Sequence, residues 1–165
     1  LDVGTGTGCI AIAVAVNNPL AQIVALDKSA VAIKLARENA RLHHVESRVS
    51  FLQADGLSPF ARKRYYDVIC SNPPYVEASA WDGLSRVITL HEDRDALLSG
   101  EDGLDMIRRL VLDSRILLRP GGLLLLEIGM GQALSVRDIL HQNGFDMIDV
   151  VEDLSGIERV VIARS

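Results

Sequence analysis

Apolar runs separated by glycine-rich or polar segments occupy the first part of the chain and predict alternating strands and helices. Residues 1–3 have the pattern of the end of a buried strand, and an apolar run over 10–16 has the period of a helix. A second apolar strand is predicted at 22–26, and Ser29 is expected to cap a helix from Ala30 to about Leu42. These segments make two consecutive strand–helix units.

The middle of the chain carries two more predicted strands and a long segment without a clear period. The strands are predicted at 49–53 and 66–70, and both end in polar or conformationally special residues. The segment 76–100 is predicted to be a long loop. Because loops of that length in compact domains are usually functional or mobile, we expect it to cover a site.

The last third of the chain predicts further strand–helix units and a final pair of strands. Asp102 is the predicted N-cap of a helix that ends near Leu118, before Pro120-Gly121-Gly122. A strand, an amphipathic helix and two strands separated by a short turn follow at 123–127, 132–142, 145–151 and 158–163. The pattern predicts an α/β fold, a doubly wound, mostly parallel seven-stranded sheet with an antiparallel terminal strand.

Length and composition fit a single domain with one core. The chain has 165 residues, of which 48% are hydrophobic, 4% aromatic and 24% charged, the mixture expected of parallel strands covered by helices. Leu1 falls inside the first predicted strand. We therefore interpret the chain as a fragment that lacks the start of that strand.

Charge and cysteine content narrow the classes of function. The 17 Lys and Arg residues against 22 Asp and Glu give a net charge of −5, which provides no overall positive field to attract nucleic acid. The basic run Arg62-Lys63-Arg64 is interpreted as a solvated edge. Cys9 and Cys70 lie far apart in apolar stretches, which favours packed free thiols in a reducing cytoplasm. No segment has the length of a membrane span, and we expect a cytoplasmic monomer with neither a membrane nor a direct nucleic-acid partner.

A candidate ligand site lies where the predicted strands end, because ligands of doubly wound sheets bind beyond the carboxyl ends of the strands. Gly4, Gly6 and Gly8 lack Cβ atoms in a turn that leads into a helix, so a ligand could approach unpaired N–H donors. Asp27 ends the second strand, where a carboxylate can accept both hydroxyls of a ribose. Asp55 ends the third, where it could accept from an exocyclic amine. Each aspartate could instead be only a cap or turn residue, but their agreement with the glycine turn favours a nucleotide-like cofactor.

The segment Asn72-Pro73-Pro74-Tyr75 after the fourth strand carries the sharpest chemical signal. The side-chain carbonyl of Asn72 and the backbone carbonyl of Pro73 are two acceptors side by side, able to hold the two hydrogens of a planar NH₂ group. Tyr75 adds an aromatic face against which an amide or a base could pack. Holding both N–H bonds aims the nitrogen lone pair at an electrophilic carbon without a strong base. The histidines and cysteines lack metal-ligand spacing, and we expect no metal.

The chain resembles the class I S-adenosylmethionine-dependent methyltransferases that act on planar or amide nitrogens. The resemblance lies in the segments LDVGTGTG, ALD, QAD and SNPPY, which follow one another in this order. Members of this class have a Rossmann-like sheet. More specifically, the chain is similar to the HemK-type glutamine methyltransferases of peptide chain release factors. This similarity lies in four successive segments, SNPPYV, HEDRDALLSGEDGLD, PGGLLLLEIG and DLSGIERVV. The resemblance covers nearly the whole chain. It implies that residues 1–165 are the catalytic domain of an N-methyltransferase, and that an N-terminal helical domain which helps to dock the release factor is absent.

The resemblance also implies roles for individual residues. Gly4-Thr5-Gly6-Thr7-Gly8 would wrap the methionine part of S-adenosylmethionine, Asp27 would take the ribose, and Asp55 with Gly56 would lie against adenine, where family members often carry a side chain larger than glycine. Asn72 would border the cofactor and, with Pro73, hold the glutamine amide of the Gly-Gly-Gln motif. Pro74 and Tyr75 would form part of the acceptor pocket. The product of the cofactor would be S-adenosylhomocysteine.

Three other functions remain open on the residues alone. A nucleic-acid methyltransferase that modifies an exocyclic amine of adenine or guanine would use the same NH₂ clamp but would need a basic approach surface. A nonenzymatic nucleotide-binding module or an NAD-dependent oxidoreductase would share the glycine turn. The intact Asn-Pro-Pro-Tyr segment counts against the module, and the Gly-x-Gly-x-Gly spacing counts against the oxidoreductase.

Overall fold

The structure is a computed structural model that describes residues 1–57, 60, 65–83, 85–91 and 94–165. Seven strands form one sheet in the order β3-β2-β1-β4-β5-β7-β6. The strands are β1 Asp2–Val3, β2 Ile23–Asp27, β3 Val49–Gln53, β4 Tyr66–Ser71, β5 Leu118–Glu127, β6 Asp146–Glu152 and β7 Glu158–Arg164. The α-helices are α1 Cys9–Asn17, α2 Ala30–Leu42, α3 Arg86–His91, α4 Arg94–Leu97, α5 Asp105–Leu117 and α6 Ala133–Gln142. The basic run 62–64 lies outside the described residues.

The strand order reverses between β1 and β4, as the doubly wound prediction requires. β1 pairs in parallel with β2 and with β4, so that Val3 lies opposite Leu26 on one side and Ser71 on the other. The chain runs outward from β1 to β3 and then outward from β4 in the other direction. A crevice at such a reversal is the usual ligand site of these sheets.

Two apolar clusters cover the two faces of the sheet. Ala25 packs with Ala36 and the rest of a cluster from α1 and α2, whereas its neighbour Leu26 packs with Ile107 and Leu140 in a cluster from α5 and α6. Consecutive strand residues point to opposite faces, so α1 and α2 lie on one face and α5 and α6 on the other. The sheet is thus the central layer of three.

The predicted loop at 76–100 is largely helical. It contains a 3-10 helix, Ala78–Gly83, and the short helices α3 and α4. Val76 and Leu98 form a parallel bridge, with hydrogen bonds from the Val76 N–H to the Leu97 carbonyl at 2.9 Å and from the Ser99 N–H to the Val76 carbonyl at 3.0 Å. The prediction of a loop was wrong because helices of four to six residues are too short to show a helical period.

Two boundaries around α5 also differ from the prediction. The helix begins at Asp105, and the hydroxyl of Ser99 accepts from the Met106 N–H at 2.8 Å. Asp102 is not the N-cap; its carboxylate accepts from the Leu104 N–H, and Arg108 lowers the pKa of this carboxyl to about 2. Strand β5 begins at Leu118, before the Pro-Gly-Gly segment, because a shift in its register with β4 accommodates those residues.

The last two strands form the predicted antiparallel pair, in a position that the sequence pattern did not specify. β7 lies between β5 and β6, with Ile162 opposite both Leu125 and Asp149. The outer strand β6 has a register shift between Asp146 and Asp149, where Met147 adopts a φ of 47°. Among the described helices, none combines the length and the apolar character that a membrane crossing requires.

Candidate active site

A cleft of about 490 Å³ opens at the carboxyl edge of the sheet, where β1, β2, β3 and β4 end. Its volume is that of a small-molecule site. The predicted site residues that line it are Gly4, Gly6, Asp27, Asp55, Gly56, Asn72 and Pro74. The other predicted residues belong to the same turns but are not among the residues found to line the cleft: Thr5, Thr7, Gly8, Pro73 and Tyr75.

The three glycines of the glycine turn serve two different purposes. At Gly4 and Gly6, φ is 69° and 55°, and an added Cβ would meet no atom within 4 Å, so these positions leave open space for a ligand. At Gly8, an added Cβ would lie 2.9 Å from Ile12 Cδ1 and 3.2 Å from the Ala36 Cβ. The absence of a side chain at position 8 therefore serves the packing of α1 against α2.

Asp27 connects the glycine turn to the start of α2. Its Oδ2 accepts from the Gly6 N–H at 2.9 Å, and its Oδ1 accepts from the Ser29 N–H at 2.8 Å. The Ser29 hydroxyl in turn caps α2 by accepting from the Ala32 N–H, as predicted. A carboxylate offers about four lone-pair directions, so Asp27 can hold the turn and still accept from ligand hydroxyls.

Asp2 is a structural carboxylate that the sequence analysis missed. It is buried beneath the glycine turn, where its Oδ2 accepts from the Thr5 hydroxyl at 2.6 Å and from the Ala11 N–H at 3.2 Å. Burial raises the pKa of Asp2, and these hydrogen bonds oppose the rise. An aspartate inside an otherwise apolar strand end was the available signal, because a buried carboxylate needs donors nearby.

The two cysteines have different environments. Cys70 lies next to Asp2, and burial, together with the Asp2 charge, raises the pKa of its thiol to about 12. It therefore stays protonated and is a poor nucleophile. Both cysteines are free, as predicted, but Cys9 is exposed rather than packed.

Asn72 stands at the wall of the cleft with its polar group available. The residue is exposed, and its side chain makes no hydrogen bond within the part of the chain that the structure describes. The next residue, Pro73, is buried. The preceding Ser71 donates from its hydroxyl to the Val3 carbonyl at 2.7 Å, which ties the end of β4 to the glycine turn. The segment 72–75 and the glycine turn are thus joined through the ends of β4 and β1.

Gln132, at the start of α6, supports the turn that follows Asn72. Its Nε2 donates to the Tyr75 carbonyl at 3.0 Å, and its Oε1 accepts from the Gly129 N–H at 2.8 Å. Gly103 lies so close that an added Cβ would be 2.3 Å from the Tyr75 carbonyl oxygen. The sequence analysis missed Gln132 because its partner is 57 positions away in the chain.

The Tyr75 side chain points towards the end of β5. Its hydroxyl lies 3.5 Å from Glu127 Oε1. Partial burial and the negative charge of Glu127 raise the pKa of the phenol, so Tyr75 is neutral at physiological pH and presents an aromatic ring with a donor at its tip.

Comparison with known proteins agrees with the resemblance found in the sequence. A family model described as the methyltransferase small domain matches residues 1–99. The release factor glutamine methyltransferase of Thermodesulfovibrio yellowstonii is 42% identical to the chain over 164 residues, which is 99% of this chain and 58% of that protein. The protein of the same name from Geobacter sulfurreducens is 40% identical over 164 residues, which is 99% of this chain and 57% of that protein. The chain therefore spans less than two thirds of these relatives.

The fold is shared with solved structures at lower identity. A ribosomal protein L11 methylase from Lactobacillus delbrueckii subsp. bulgaricus superimposes with a TM-score of 0.70 and 21% identity, over 99% of this chain and 68% of that chain. Identity at that level shows the fold alone. It confirms the predicted doubly wound sheet with its antiparallel terminal strand.

Proposed function

The chain belongs to the methyltransferase small domain family, and from this premise we propose that it transfers a methyl group from S-adenosylmethionine to the side-chain amide nitrogen of a glutamine in peptide chain release factors. The acceptor would be the glutamine of their Gly-Gly-Gln motif. The observation that carries the proposal is that one cleft combines an open glycine turn, the carboxylates Asp27 and Asp55 near the ends of two neighbouring strands, and the Asn72 amide, which has no hydrogen-bond partner among the described residues. The similarity to a release factor glutamine methyltransferase over 99% of this chain and 58% of that protein supports a protein amide as the acceptor. We further propose that residues 1–165 act as the catalytic domain, as a monomer in the cytoplasm.

The cleft residues fit S-adenosylmethionine. The space above Gly4 and Gly6, which a Cβ would fill, allows a ligand to touch the backbone. Asp27 retains acceptor capacity for ribose hydroxyls, and Asp55, which also lines the cleft, would accept from an exocyclic amine. When bound, S-adenosylmethionine supplies an electrophilic methyl carbon on a sulfonium sulfur.

The acceptor amide needs orientation more than deprotonation, because its nitrogen lone pair is delocalised. Asn72 Oδ1 and the Pro73 carbonyl would each accept one N–H of the glutamine amide, which aims the nitrogen along the line of attack. The new N–CH₃ bond forms as the S–CH₃ bond breaks, and the surplus N–H proton leaves to solvent afterwards. Tyr75 would line the acceptor pocket beside this amide.

A methyl-transfer assay tests the proposal. The protein is incubated with S-adenosylmethionine labelled at the methyl group and with a release factor that carries either Gln or Ala in its Gly-Gly-Gln motif, and RNA and DNA serve as parallel acceptors. We expect label only on the Gln protein. Label on nucleic acid would instead support methylation of an exocyclic base amine.

Asn72→Ala is the variant that tests the assigned role of Asn72. Removing a positioned polar group at the reacting centre is expected to lower kcat by about 100-fold or more. The affinity for S-adenosylhomocysteine should change by no more than about twofold, since the carboxylates and the glycine turn remain. Undiminished turnover of Asn72→Ala would show that the amide is held elsewhere.

A further inference from the structure

The cleft contains an arginine that the sequence pattern did not single out. Arg109 lies on α5 and lines the cleft together with Asp55 and Gly56. Its Nη2 donates to the Asp55 carbonyl at 3.1 Å, and its Nη1 lies 3.5 Å from Asp55 Oδ1. The guanidinium therefore contacts both the backbone and the side chain of Asp55, which lies two residues after the end of β3.

Gly56 shows how closely the guanidinium covers this turn. A Cβ added to Gly56 would lie 2.9 Å from Arg109 Nη2, 3.0 Å from Cζ and 3.2 Å from Nε. Three atoms of one planar group at nearly equal distance mean that the guanidinium occupies the space that a side chain at position 56 would enter. Gly56 has a φ of 65°, which also favours glycine there.

The environment of Arg109 suits contact with a flat ring. The Arg109 side chain keeps 44% of its surface exposed. One edge of the guanidinium contacts Asp55, and part of the remaining surface is accessible to a ligand. A guanidinium is planar and weakly hydrated, and it stacks on aromatic faces in a way that a lysine ammonium does not. Its neighbour Arg108 differs, because it pairs with Asp102 and Asp105 and is not among the cleft residues.

We propose that Arg109 forms the wall of the base-binding end of the cleft, where its guanidinium packs against the face of the cofactor's adenine and holds Asp55 in place to accept from the exocyclic amine. This inference rests on the proposed function, since it assumes an adenine-containing cofactor. It adds a positioning and specificity residue to that site, and it gives a physical reason for a glycine at position 56.

Titration calorimetry with S-adenosylhomocysteine tests this role without relying on turnover. Arg109→Ala is expected to weaken binding roughly 3- to 30-fold, the range of a partly exposed cation–π contact. Arg109→Lys retains the charge near Asp55 but loses the plane, so its affinity should stay close to that of Arg109→Ala. Arg108→Ala removes the same charge one position away and should bind like the unmodified protein. Circular dichroism melting of each variant confirms that the fold is retained.

A second ligand separates stacking from recognition of the amine. The inosine analogue of S-adenosylhomocysteine carries a carbonyl in place of the exocyclic amine, and the unmodified protein should prefer the adenine compound. Arg109→Ala should reduce this preference, because Asp55 loses the contacts of its backbone and side chain with the guanidinium. Equal affinities of Arg109→Ala and the unmodified protein for S-adenosylhomocysteine would overturn the inference alone, and full affinity in Arg109→Lys would overturn the stacking contact. Failure of the unmodified protein to bind S-adenosylhomocysteine would overturn the proposed function and this inference with it.

Discussion

At the scale of single residues, three aspartates at strand ends have different tasks because their surroundings differ. Asp2 is buried and accepts hydrogen bonds from the glycine turn and from α1. Asp27 is half-buried and accepts from two backbone N–H groups, with capacity left for a ligand. Asp55 is exposed and is held by Arg109. Burial and the number of donors, rather than the residue type, decide which carboxylate supports the turn and which faces the cleft.

Replacement of Asp27 is expected to weaken cofactor binding. Asp27→Ala removes acceptors both for the ligand hydroxyls and for the Gly6 N–H, and hydrogen bonds to a charged group are worth about 1.5–3 kcal/mol. We therefore expect a loss of S-adenosylhomocysteine affinity of roughly 10- to 100-fold, measured by calorimetry. Asp27→Asn keeps one acceptor oxygen and should give an intermediate affinity. If Asp27→Ala bound as tightly as the unmodified protein, Asp27 would have no place in the ribose site.

Some of these residues could be found from the sequence because their role is local. Gly4, Gly6 and Asp27 are identified by their position after a strand, and the structure brings them to one cleft. Arg109 and Gln132 could not be found in this way, since they act on Asp55 and Tyr75, 54 and 57 positions away. Their partners are set by tertiary packing, which no local pattern reports.

At the scale of elements, the junction of β5 and α6 supports the segment 72–75 after β4, the proposed acceptor segment. Gln132 joins the Gly129 N–H to the Tyr75 carbonyl, and Glu127 faces the Tyr75 hydroxyl. β4 and β5 are neighbouring parallel strands, so their carboxyl ends meet at the same edge. The turn that would hold the acceptor is therefore supported by the next strand–helix unit rather than by its own.

Gln132→Ala should affect the acceptor step and leave cofactor binding intact. Without the Nε2 donor the Tyr75 turn loses its support, and a small displacement of a positioning group is enough to lower kcat/KM for the release factor by roughly 10- to 100-fold. Gln132→Glu keeps an acceptor for Gly129 but cannot donate to Tyr75, so it should be at least as impaired. Gln142→Ala, at the other end of α6, is the matched control. A purely structural role would instead lower S-adenosylhomocysteine affinity and thermal stability in parallel.

Helices with a long local sequence pattern were predicted, and the short helices were not. The bounds of α2 were predicted correctly because Ser29 supplies a cap and thirteen residues supply a period. The short helices within 76–100 have no such length. β5 begins five residues earlier than the sequence predicts. Pro120 and the following glycines are typical of an element boundary, but β5 pairs with β4 on both sides of them.

At the scale of the whole molecule, the glycine turn and the segment 72–75, the proposed cofactor and acceptor sites, follow adjacent strands. Val3 precedes the glycine turn and pairs with Ser71, which precedes Asn72. A side-chain hydrogen bond at 2.7 Å fixes the two strand ends to each other. The reversal of strand order thus places the proposed donor and acceptor sites one strand apart. This arrangement could be predicted from the order of strands and helices, while the position of β7 could not, because a hairpin can add to a sheet on either of its strands.

The strand β6 forms an exposed edge of the sheet, and this edge affects the solubility of the protein at high concentration. A strand at the end of a sheet exposes unpaired backbone groups, which invite strands of other molecules. β6 carries the exposed carboxylates Asp146, Asp149 and Glu152 and the irregularity at Met147, features that natural edges use against such addition. We expect Asp149→Val to promote self-association, seen as a sedimentation coefficient that rises with concentration, whereas Asp138→Val on the helical surface should not. The irregularity and the charges of β6 would then act as protection against aggregation, independent of any catalytic role.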